Sequence, residues 1–400
     1  TQASQVQVLV QPTISTNQIN LLGTDTLLIT LQQPLTNQTT YNFTLKNISD
    51  CAGNTDSISF SRSYFVPQKA TNFDVLITEI MADPDPSKGL PTVEYVELYN
   101  RSTKPISLKN WTFADVTTKA KLPDYLLMPD SFVIITSSAY TVLFNQSSIG
   151  VSSFPSLGND GDNLTLSNDA GQIIHAVNYT SAWITDAIKR DGGYSLELVD
   201  PKNPCGTNNW RASTHPFGGT PGNKNSVTGK NLDETAPRLT RIYAMDSTHL
   251  ELFFNEAMDS TRLTSNTQYT INPSKSVLTV SGRAPFYNST VLTLAEPISF
   301  DTTYILTISD AYDCALNQLQ DYSSLSFGLP YQPESIDLAI NEVLFNPSTT
   351  GVDFVEIYNK SNKLIDVRSC LIAKRDDAGN ISSYAWIAPD GFTLKPQGYL

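Results

Sequence analysis

The chain repeats itself at a nearly constant distance, and this repeat limits the possible folds more than any other feature. The stretch VEYVELYN at 93–100 returns as VDFVEIYN at 352–359. Upstream, LLITLQQPLTNQTTY at 27–41 matches TVLTLAEPISFDTTY at 290–304, an offset of 263 positions (304 − 41). The offset falls to 259 (356 − 97) beyond the loop MADPDPSKGLPT, which is longer in the first copy. Self-similarity at a fixed distance is the signature of a repeated structural unit.

The repeated unit has two parts, which recur in the same order. Thr1 aligns with Thr264 and Leu400 with Val133, each inside a part, so we expect a window of a longer tandem array. The predicted domains are a partial first part at 1–69, a second part at 72–200, an ordered linker at 201–234, a complete first part at 235–331 and a partial second part at 335–400.

Both parts consist of short strand patterns separated by turn residues. The complete first part, at 235–331, contains LTRIYAM, HLELFF, QYTI, SVLTV, TVLTL, YILTIS and SSLSFG. The second part, at 72–200, contains VLITEI, VEYVELYN, SFVIIT, NLTLSN, IIHAVNY and YSLELV. Alternation with period two, interrupted about every 8–12 residues, indicates antiparallel sandwiches. Hydrophobic residues make up 40% of the chain and charged residues only 16%, with 18 Tyr and 17 Phe. This composition suits half-buried strands, and we predict an all-β fold of tandem sandwiches in an extended array.

Segments of the chain resemble two known families. The segments DVLITEIMADP, VEYVELYNRSTKPISLKNWTFAD and LGNDGDNLTLSNDAG resemble the lamin tail domain, an immunoglobulin-like β-sandwich, in its bacterial extracellular form. HLELFFNEAMD, VLTLAEPISFDTTYILTISDAYDCALN and their surroundings resemble the bacterial immunoglobulin-like domain of surface-layer and adhesin-type proteins. Alternation of such modules is typical of large secreted proteins of the Bacteroidetes. The resemblance therefore implies an extracellular or cell-surface protein, associated with a Gram-negative outer membrane and exported by type IX secretion.

The cysteines leave three arrangements open. Without a Cys-x-x-Cys pair they do not predict a zinc site, whereas the extracellular setting implied by the resemblance allows disulfides. In an immunoglobulin-type topology the loop of Cys314 lies at the pole where the linker with Cys205 arrives, which favours Cys205–Cys314. The alternatives are Cys51–Cys205 and four reduced, buried thiols. Cys370 aligns with Trp111, which predicts a small apolar core residue.

Charge and hydropathy exclude two classes of partner. The net charge is −13 with a pI of about 4.6, and only 26 Lys and Arg are present, which argues against nucleic acid. No apolar run approaches the roughly 18–20 residues needed for a membrane helix, so no membrane insertion is predicted. The N-terminal TQASQVQVLV has no basic region and does not predict a signal peptide.

No catalytic constellation emerges from the reactive residues. His175 alternates with apolar neighbours on a strand, His249 opens a strand, and His215 lies in the linker without a recognisable partner. There is no G-x-S-x-G, H-E-x-x-H or glycine-rich phosphate loop. Glu94 and Glu97 lie three apart on one strand and therefore point to opposite faces. We predict no catalytic, cofactor-binding or metal-binding residue, and thus no enzyme.

Glu97 and its counterpart in the second copy, Glu356, are interpreted as cross-strand contacts on a solvent-exposed face. Glu94 and Glu97 recur there as Asp353 and Glu356.

Calcium is the alternative to the absence of a cofactor, because ADPDPS (82–87) and NDGDN (159–163) place hard oxygen ligands in loops. Neither follows the EF-hand spacing, and Asx-rich turns need no metal. Asp-Ser/Thr-apolar triplets such as DTL and DSI resemble the O-glycosylation signal of exported Bacteroidetes proteins.

Three functions from different classes remain. The first is a non-catalytic structural or adhesive segment of a large secreted or cell-surface repeat protein, whose partners are other copies or the surface proteins and glycans of the cell envelope. The second is the accessory stalk of a secreted nuclease or protease with its catalytic domain elsewhere, as the lamin-tail resemblance implies. The third is a lectin-like binding module that uses exposed aromatic residues, namely Tyr95, Tyr99, Trp183 and Trp210.

Overall fold

The computed structural model describes residues 5–23, 25–50, 52–205, 208–231, 233–260, 262–347 and 351–400. Strands account for nearly all regular structure in these ranges, which confirms the all-β prediction. The described helical elements are the α-helix Ala187–Arg190 and the 3-10 turns Thr141–Leu143, Ser181–Trp183 and Asn266–Gln268. None of the described helices is long and apolar enough to cross a membrane.

The N-terminal unit comprises residues 5–64 and contains two small sheets. Its strands are β1 (Gln7–Gln11), β2 (Thr16–Leu22), β3 (Thr26–Leu31), β4 (Thr39–Ser49) and β5 (Thr55–Tyr64). One sheet has the order β1-β4-β5 and the other pairs β2 with β3. Leu22 and Ile58 are each 51% exposed, so this unit leaves much of its apolar surface in contact with solvent.

The central sandwich comprises residues 70–212. Its strands are β6 (Val75–Met81), β7 (Tyr95–Asn100), β8 (Ile106–Ser107), β9 (Thr112–Ala114), β10 (Lys119–Lys121), β11 (Leu126–Leu127), β12 (Phe132–Ser137), β13 (Ser148–Val151), β14 (Gly161–Ser167), β15 (Ile173–Thr180), β16 (Leu196–Leu198) and β17 (Trp210–Ala212). A six-stranded sheet with the order β13-β12-β7-β6-β16-β17 faces a four-stranded sheet with the order β10-β9-β14-β15. The core between them includes Ile77, Leu98, Phe113 and Leu166.

The six-stranded sheet is covered on both faces. Every residue of β6 is buried, whereas a sheet with one wet face would show alternating burial. On the face away from the core, Met81, Tyr95, Ile134 and Phe144 form a second apolar cluster. The rest of this face is covered by residues 215–229, which we call the strap. This segment belongs to the stretch that the sequence analysis describes as an ordered linker.

The second sandwich comprises residues 239–327 and follows the strap. Its strands are β18 (Leu239–Ala244), β19 (His249–Phe254), β20 (Tyr269–Asn272), β21 (Val277–Gly282), β22 (Ser289–Leu294), β23 (Tyr304–Ile308) and β24 (Ser324–Phe327). Sheets of order β18-β19-β22-β21 and β20-β23-β24 enclose a core of its own, with Leu252, Leu292 and Leu306 at its centre.

The C-terminal unit comprises residues 331–400. Its strands are β25 (Leu338–Leu344), β26 (Phe354–Asn359), β27 (Ile365–Asp366), β28 (Leu371–Arg375), β29 (Ile381–Trp386) and β30 (Thr393–Leu394). They pair as β25-β26, β27-β30 and β28-β29 around a small cluster that includes Ile357 and Ile365. Cys370 is a free, partly buried cysteine that packs against this cluster.

The strand order of the N-terminal unit recurs within the second sandwich, which has β18 and β19 in addition. The sheet β1-β4-β5 corresponds to β20-β23-β24, and the pair β2-β3 corresponds to β21-β22. In both units a tyrosine hydroxyl accepts a backbone N–H five residues earlier: Tyr41 from Thr36 at 2.9 Å and Tyr304 from Ser299 at 3.1 Å. The offset is not 263 throughout, because β1 aligns with β20 at 261 (272 − 11). Thr1, aligned by sequence with Thr264, lies outside the described residues.

The C-terminal unit repeats the start of the central sandwich. The register of β6 on β7 shifts just before Glu79, and the register of β25 on β26 shifts just before Glu342. The Asn100 side-chain amide donates to the carbonyls of Lys104 and Leu127, at 2.7 and 3.0 Å. The equivalent Asn359 donates in the same way to the carbonyls of Lys363 and Leu394, at 2.8 and 3.2 Å.

Candidate functional site

Three glutamates lie side by side on neighbouring strands of the central sandwich. Glu79 on β6 lies opposite Glu97 on β7 and opposite Glu197 on β16. All three side chains are fully buried. The interpretation of Glu97 as a residue of a solvent-exposed face is therefore wrong. Strand alternation correctly placed it away from the main core, but the strap covers that second face.

The strap supplies backbone N–H groups to all three carboxylates. Thr220 donates to Glu79 Oε1 at 2.9 Å, and Gly222 donates to Glu97 Oε2 at 2.6 Å. The N–H of Val227 donates to a Glu197 oxygen at 3.1 Å. Hydrogen bonds to carboxylates are stronger than neutral ones. The cluster therefore fixes an aperiodic segment onto the sheet.

Side-chain donors complete the coordination of Glu79. The Tyr95 hydroxyl donates to Oε1 at 2.6 Å and the Ser195 hydroxyl donates to the same oxygen at 2.7 Å. Glu97 accepts from the Thr78 hydroxyl at 2.8 Å. Burial raises the pKa of the Tyr95 hydroxyl well above its usual range, so this group stays protonated and keeps its role as a donor.

The close approach of the strap requires glycine. A Cβ on Gly219 would lie 2.4 Å from Glu79 Oε1 and 2.7 Å from the Tyr95 hydroxyl. Gly218 has a φ of +88°, a conformation that side chains other than glycine rarely adopt. The sequence GGTPG at 218–222 could therefore have indicated this close contact, although it has no strand periodicity.

Burial of the carboxylates shifts their protonation. Burial and the charge of the neighbouring Glu197 together raise the pKa of Glu79 to about 7. Burial also raises the pKa of Glu97, to which the charge of Glu79 contributes. A carboxyl group with a raised pKa beside a second carboxyl group is typical of acid–base catalysis. Here all three groups are fully buried and hydrogen-bonded, so the cluster holds the strap and is closed to a substrate.

A disulfide joins the linker to the second sandwich. Cys205 and Cys314 are bonded, with their Cα atoms 6.0 Å apart, which confirms the favoured pairing. The alternative Cys51–Cys205 is wrong because Cys205 is already paired. Cys51 itself lies outside the described residues.

The buried His175 fixes the linker beside this disulfide. Its Nδ1 accepts the N–H of Ile77 at 2.9 Å, and its ring also hydrogen-bonds the backbone of Pro204. Burial lowers the pKa of His175 to about 3, so the imidazole is neutral and can accept from one side while it donates from the other. His175 thus has a structural role.

The remaining histidines and carboxylates singled out by sequence do not converge. His215 accepts from the N–H of Phe217 within the strap, at 3.3 Å. His249 pairs with the exposed Asp246 at 2.8 Å. Glu94 accepts from the N–H of Leu157 at 3.2 Å. Glu94 therefore has a different environment from Glu97, as expected for residues on opposite faces of a strand.

An acidic cluster lies at the junction that the disulfide spans. Carboxylate oxygens of Asp233, Glu256 and Asp313 lie within 4.8 Å of one another. Burial and the two aspartates raise the pKa of Glu256 to about 7. Asn317 donates twice to the Asp313 carboxylate, both times at 2.8 Å. Sequence reasoning missed this cluster because its members come from three separate segments.

The two loops that the sequence analysis considers as calcium sites are not part of a comparable cluster of ligands. Among the described residues, neither 82–87 nor 159–163 contributes to a set of three or more close acidic, histidine or cysteine ligands. In the second loop Asp162 accepts the N–H of Gly158, at 3.3 Å, and so stabilises its own turn. Calcium binding at these loops stays a prediction.

The aromatic residues considered for binding differ in exposure. Tyr95 is fully buried and Trp210 is 7% exposed, so neither is the exposed platform that a lectin-like module requires. Tyr99 stacks on Phe132 with ring centres 4.6 Å apart. Trp183 is half-buried and stacks on Trp210.

Part of the central sandwich matches a family model. Residues 68–181 match the family model of the Lamin Tail Domain. The match begins just before β6 and ends after β15, so the lamin-tail, immunoglobulin-like sandwich includes two of the three buried glutamates. The third glutamate and the strap follow the matched range.

Two further comparisons complete this description. No curated protein matches the chain. The N-terminal part of the bacterial S-layer protein SbsC is similar at 18% identity, with a TM-score of 0.23, over 37% of this chain and 33% of that one. The chain thus aligns with about a third of that structure.

Proposed function

We propose that the chain is a non-catalytic structural segment of a secreted or cell-surface protein built from alternating sandwiches. The observation that carries this proposal is that the connection between the units is repeated as well as the units. The N–H of Gln68 donates to the carbonyl of Pro105 at 2.8 Å, and the N–H of Tyr331 donates to the carbonyl of Leu364 at 2.8 Å. Both pairs occupy the same positions in the repeat. Units joined in one fixed way build an array in one direction.

Side-chain contacts support a stiff connection before the C-terminal unit. The Tyr243 hydroxyl of the second sandwich donates to Asp366 at 2.9 Å. Tyr331 stacks on Phe300 with ring centres 4.4 Å apart. Gly391 lies against the Tyr243 ring, where an added Cβ would come within 2.3 Å of a ring atom. Such contacts restrict rotation between the units.

The exposed strands of the C-terminal unit support a longer array. Ile340 and Val343 of β25 are 63% and 52% exposed, whereas the equivalent Ile77 and Ile80 of β6 are 0% and 1% exposed. In the central sandwich β6 lies between β7 and β16, and Ile77 and Ile80 are buried in the core that faces the four-stranded sheet. Contiguous exposed apolar surface marks an interaction site. We infer that strands equivalent to β12–β17, with a strap, complete this unit in the whole protein.

The disulfide supports an oxidising location. Cys205–Cys314 spans 109 positions and ties the linker to the second sandwich, and such bonds persist in secreted and cell-surface proteins. The partners that fit this role are other copies of the chain and the surface proteins and glycans of a cell envelope.

Surface exposure in the source organism tests the proposal. Intact cells are treated with a protease, and the released peptides are mapped without reduction. We expect peptides from this chain, including one with Cys205 linked to Cys314. Recovery of the chain only from the cytosol, with both thiols free, would contradict the proposal. Nuclease or protease activity that is lost when residues of this segment are substituted would indicate an enzyme.

A further inference from the structure

A cleft of about 740 Å³ lies between the central and second sandwiches, beside the Cys205–Cys314 disulfide. Volumes of this size suit small ligands, and interfaces between domains are a preferred place for ligand sites. The disulfide restrains the two walls, so a ligand meets a cleft that is already formed. Preorganisation of this kind reduces the entropy lost on binding.

An aromatic residue provides an apolar surface in the cleft. Trp183 and Trp210 stack with ring centres 6.2 Å apart and an interplanar angle of 22°. Because Trp210 is almost fully buried while Trp183 is half-buried, Trp183 is the indole of this pair that a ligand can reach. An indole offers a flat apolar face together with an N–H donor.

Uncommitted amides lie on both walls. Asn178 on β15 and Asn288 before β22 are exposed and line the cleft. Within the described part of the chain neither side chain has a hydrogen-bond partner. Each primary amide offers two donors and one acceptor oxygen, which matches the mixed donor and acceptor character of hydroxyl groups.

The charges of the cleft oppose one another. Lys202 and Arg211 lie on the wall of the central sandwich, and Glu256 and Asp259 lie on the wall of the second sandwich. Arg101 also lines the cleft, but its guanidinium already donates to backbone carbonyls, including that of Phe73 at 2.6 Å. A charged ligand would meet a like charge on one wall, so the cleft favours a neutral one.

We propose that this cleft binds a neutral oligosaccharide. A pyranose ring packs its C–H face on Trp183, while its hydroxyls hydrogen-bond to Asn178 and Asn288 from opposite walls. This activity goes beyond the scaffold role and is independent of it, because the array requires no ligand and the cleft requires no further repeats.

The test is calorimetric titration of the full chain with a defined panel of neutral tetrasaccharides: chitotetraose, cellotetraose, laminaritetraose and mannotetraose. Tetragalacturonate and a neutral tetrapeptide serve as comparison ligands. We expect at least one neutral sugar to bind with a dissociation constant of about 1 mM or less, which corresponds to a binding free energy of about −4 kcal/mol or lower. Absence of binding by all four sugars up to about 10 mM, or preferential binding of the acidic sugar or the peptide, overturns the proposal.

Variants locate the binding in the cleft. Trp183→Ala is expected to weaken binding by about tenfold or more, and Asn178→Ala and Asn288→Ala by about three- to tenfold each. The control is Trp386→Ala, which removes an indole that is 52% exposed on the C-terminal unit. This control variant should bind the sugar with the same affinity as the unchanged chain. The asparagine variants keep the test informative if Trp183→Ala fails to fold, and binding that survives both of them overturns the proposal.

Discussion

Glu79 is the residue whose surroundings are most unusual for its type. It is a fully buried carboxyl group that accepts three hydrogen bonds on one oxygen while two other glutamates lie beside it. In the second copy Glu356, the counterpart of Glu97, is partly exposed and accepts a hydrogen bond from the Asn341 side chain at 2.6 Å. The same strand letters therefore produce different environments, and the difference is the cover that lies over the sheet.

The protonation of Glu79 makes the stability of the central sandwich depend on pH. Its pKa is near 7 in the folded protein, above the value near 4.3 of an exposed glutamate, so folding binds a proton. This contribution is complete below about pH 4 and is lost as the pH rises through 7. The free energy of unfolding therefore falls by an amount on the order of 3 kcal/mol between these two pH values.

Glu79→Gln should remove much of this dependence, because a Gln Oε1 atom can accept the same three hydrogen bonds. Urea unfolding at pH 5 and pH 7.5, followed for both proteins, measures the difference. An equal pH dependence in both proteins would show that Glu79 does not bind the proton in question.

Gly219 tests the contact between strap and sheet. Gly219→Ala places a Cβ 2.4 Å from Glu79 Oε1, and we expect a loss of about 1–3 kcal/mol in the free energy of unfolding, as for other overpacked sites. Gly229→Ala is the matched control in the same strap, because its nearest neighbours lie 3.8 Å away. Denaturant titration of both variants is the measurement, and equal stabilities would contradict the proposed contact.

At the scale of elements, the strands could be predicted from the sequence and the strap could not. Period-two alternation located β6, β7, β19 and β23, because each has one face in a core between sheets. The strap lacks a repeating pattern, and some of its hydrogen bonds join residues more than a hundred positions apart, such as the one between Thr220 and Glu79. Alternation reports the face of a side chain but does not report what covers that face.

The disulfide is the element-scale feature that the topology did predict. Removal of Cys205–Cys314 by the double substitution Cys205→Ala and Cys314→Ala should destabilise the junction by about 2–4 kcal/mol, since the bond closes a loop of 109 positions. Limited proteolysis should then cleave the linker near Pro204 faster. Cys370→Ala, at a free and partly buried position, is the control. Unchanged cleavage in the double variant would show that the bond does not restrain the linker.

At the scale of the whole molecule, the repeat was the most informative feature of the sequence. It predicts two copies of a two-part unit, and this division stays a prediction. The structure adds that the strand order of the N-terminal unit and its Tyr41 contact recur in the second sandwich, where Tyr304 makes the contact. Function is less accessible by this route, because sandwiches of this kind serve many roles and differ in their surfaces. The cleft beside the disulfide is an example, since its residues come from the central sandwich, the linker and the second sandwich.

Small-angle X-ray scattering of the 400-residue chain tests most directly whether the units form a linear array. A single compact globule of this length has a radius of gyration of about 21 Å. Sandwiches joined end to end should give a radius of gyration well above that value, with a long tail in the distribution of interatomic distances. A radius of gyration near 21 Å with a symmetric distance distribution would contradict the array.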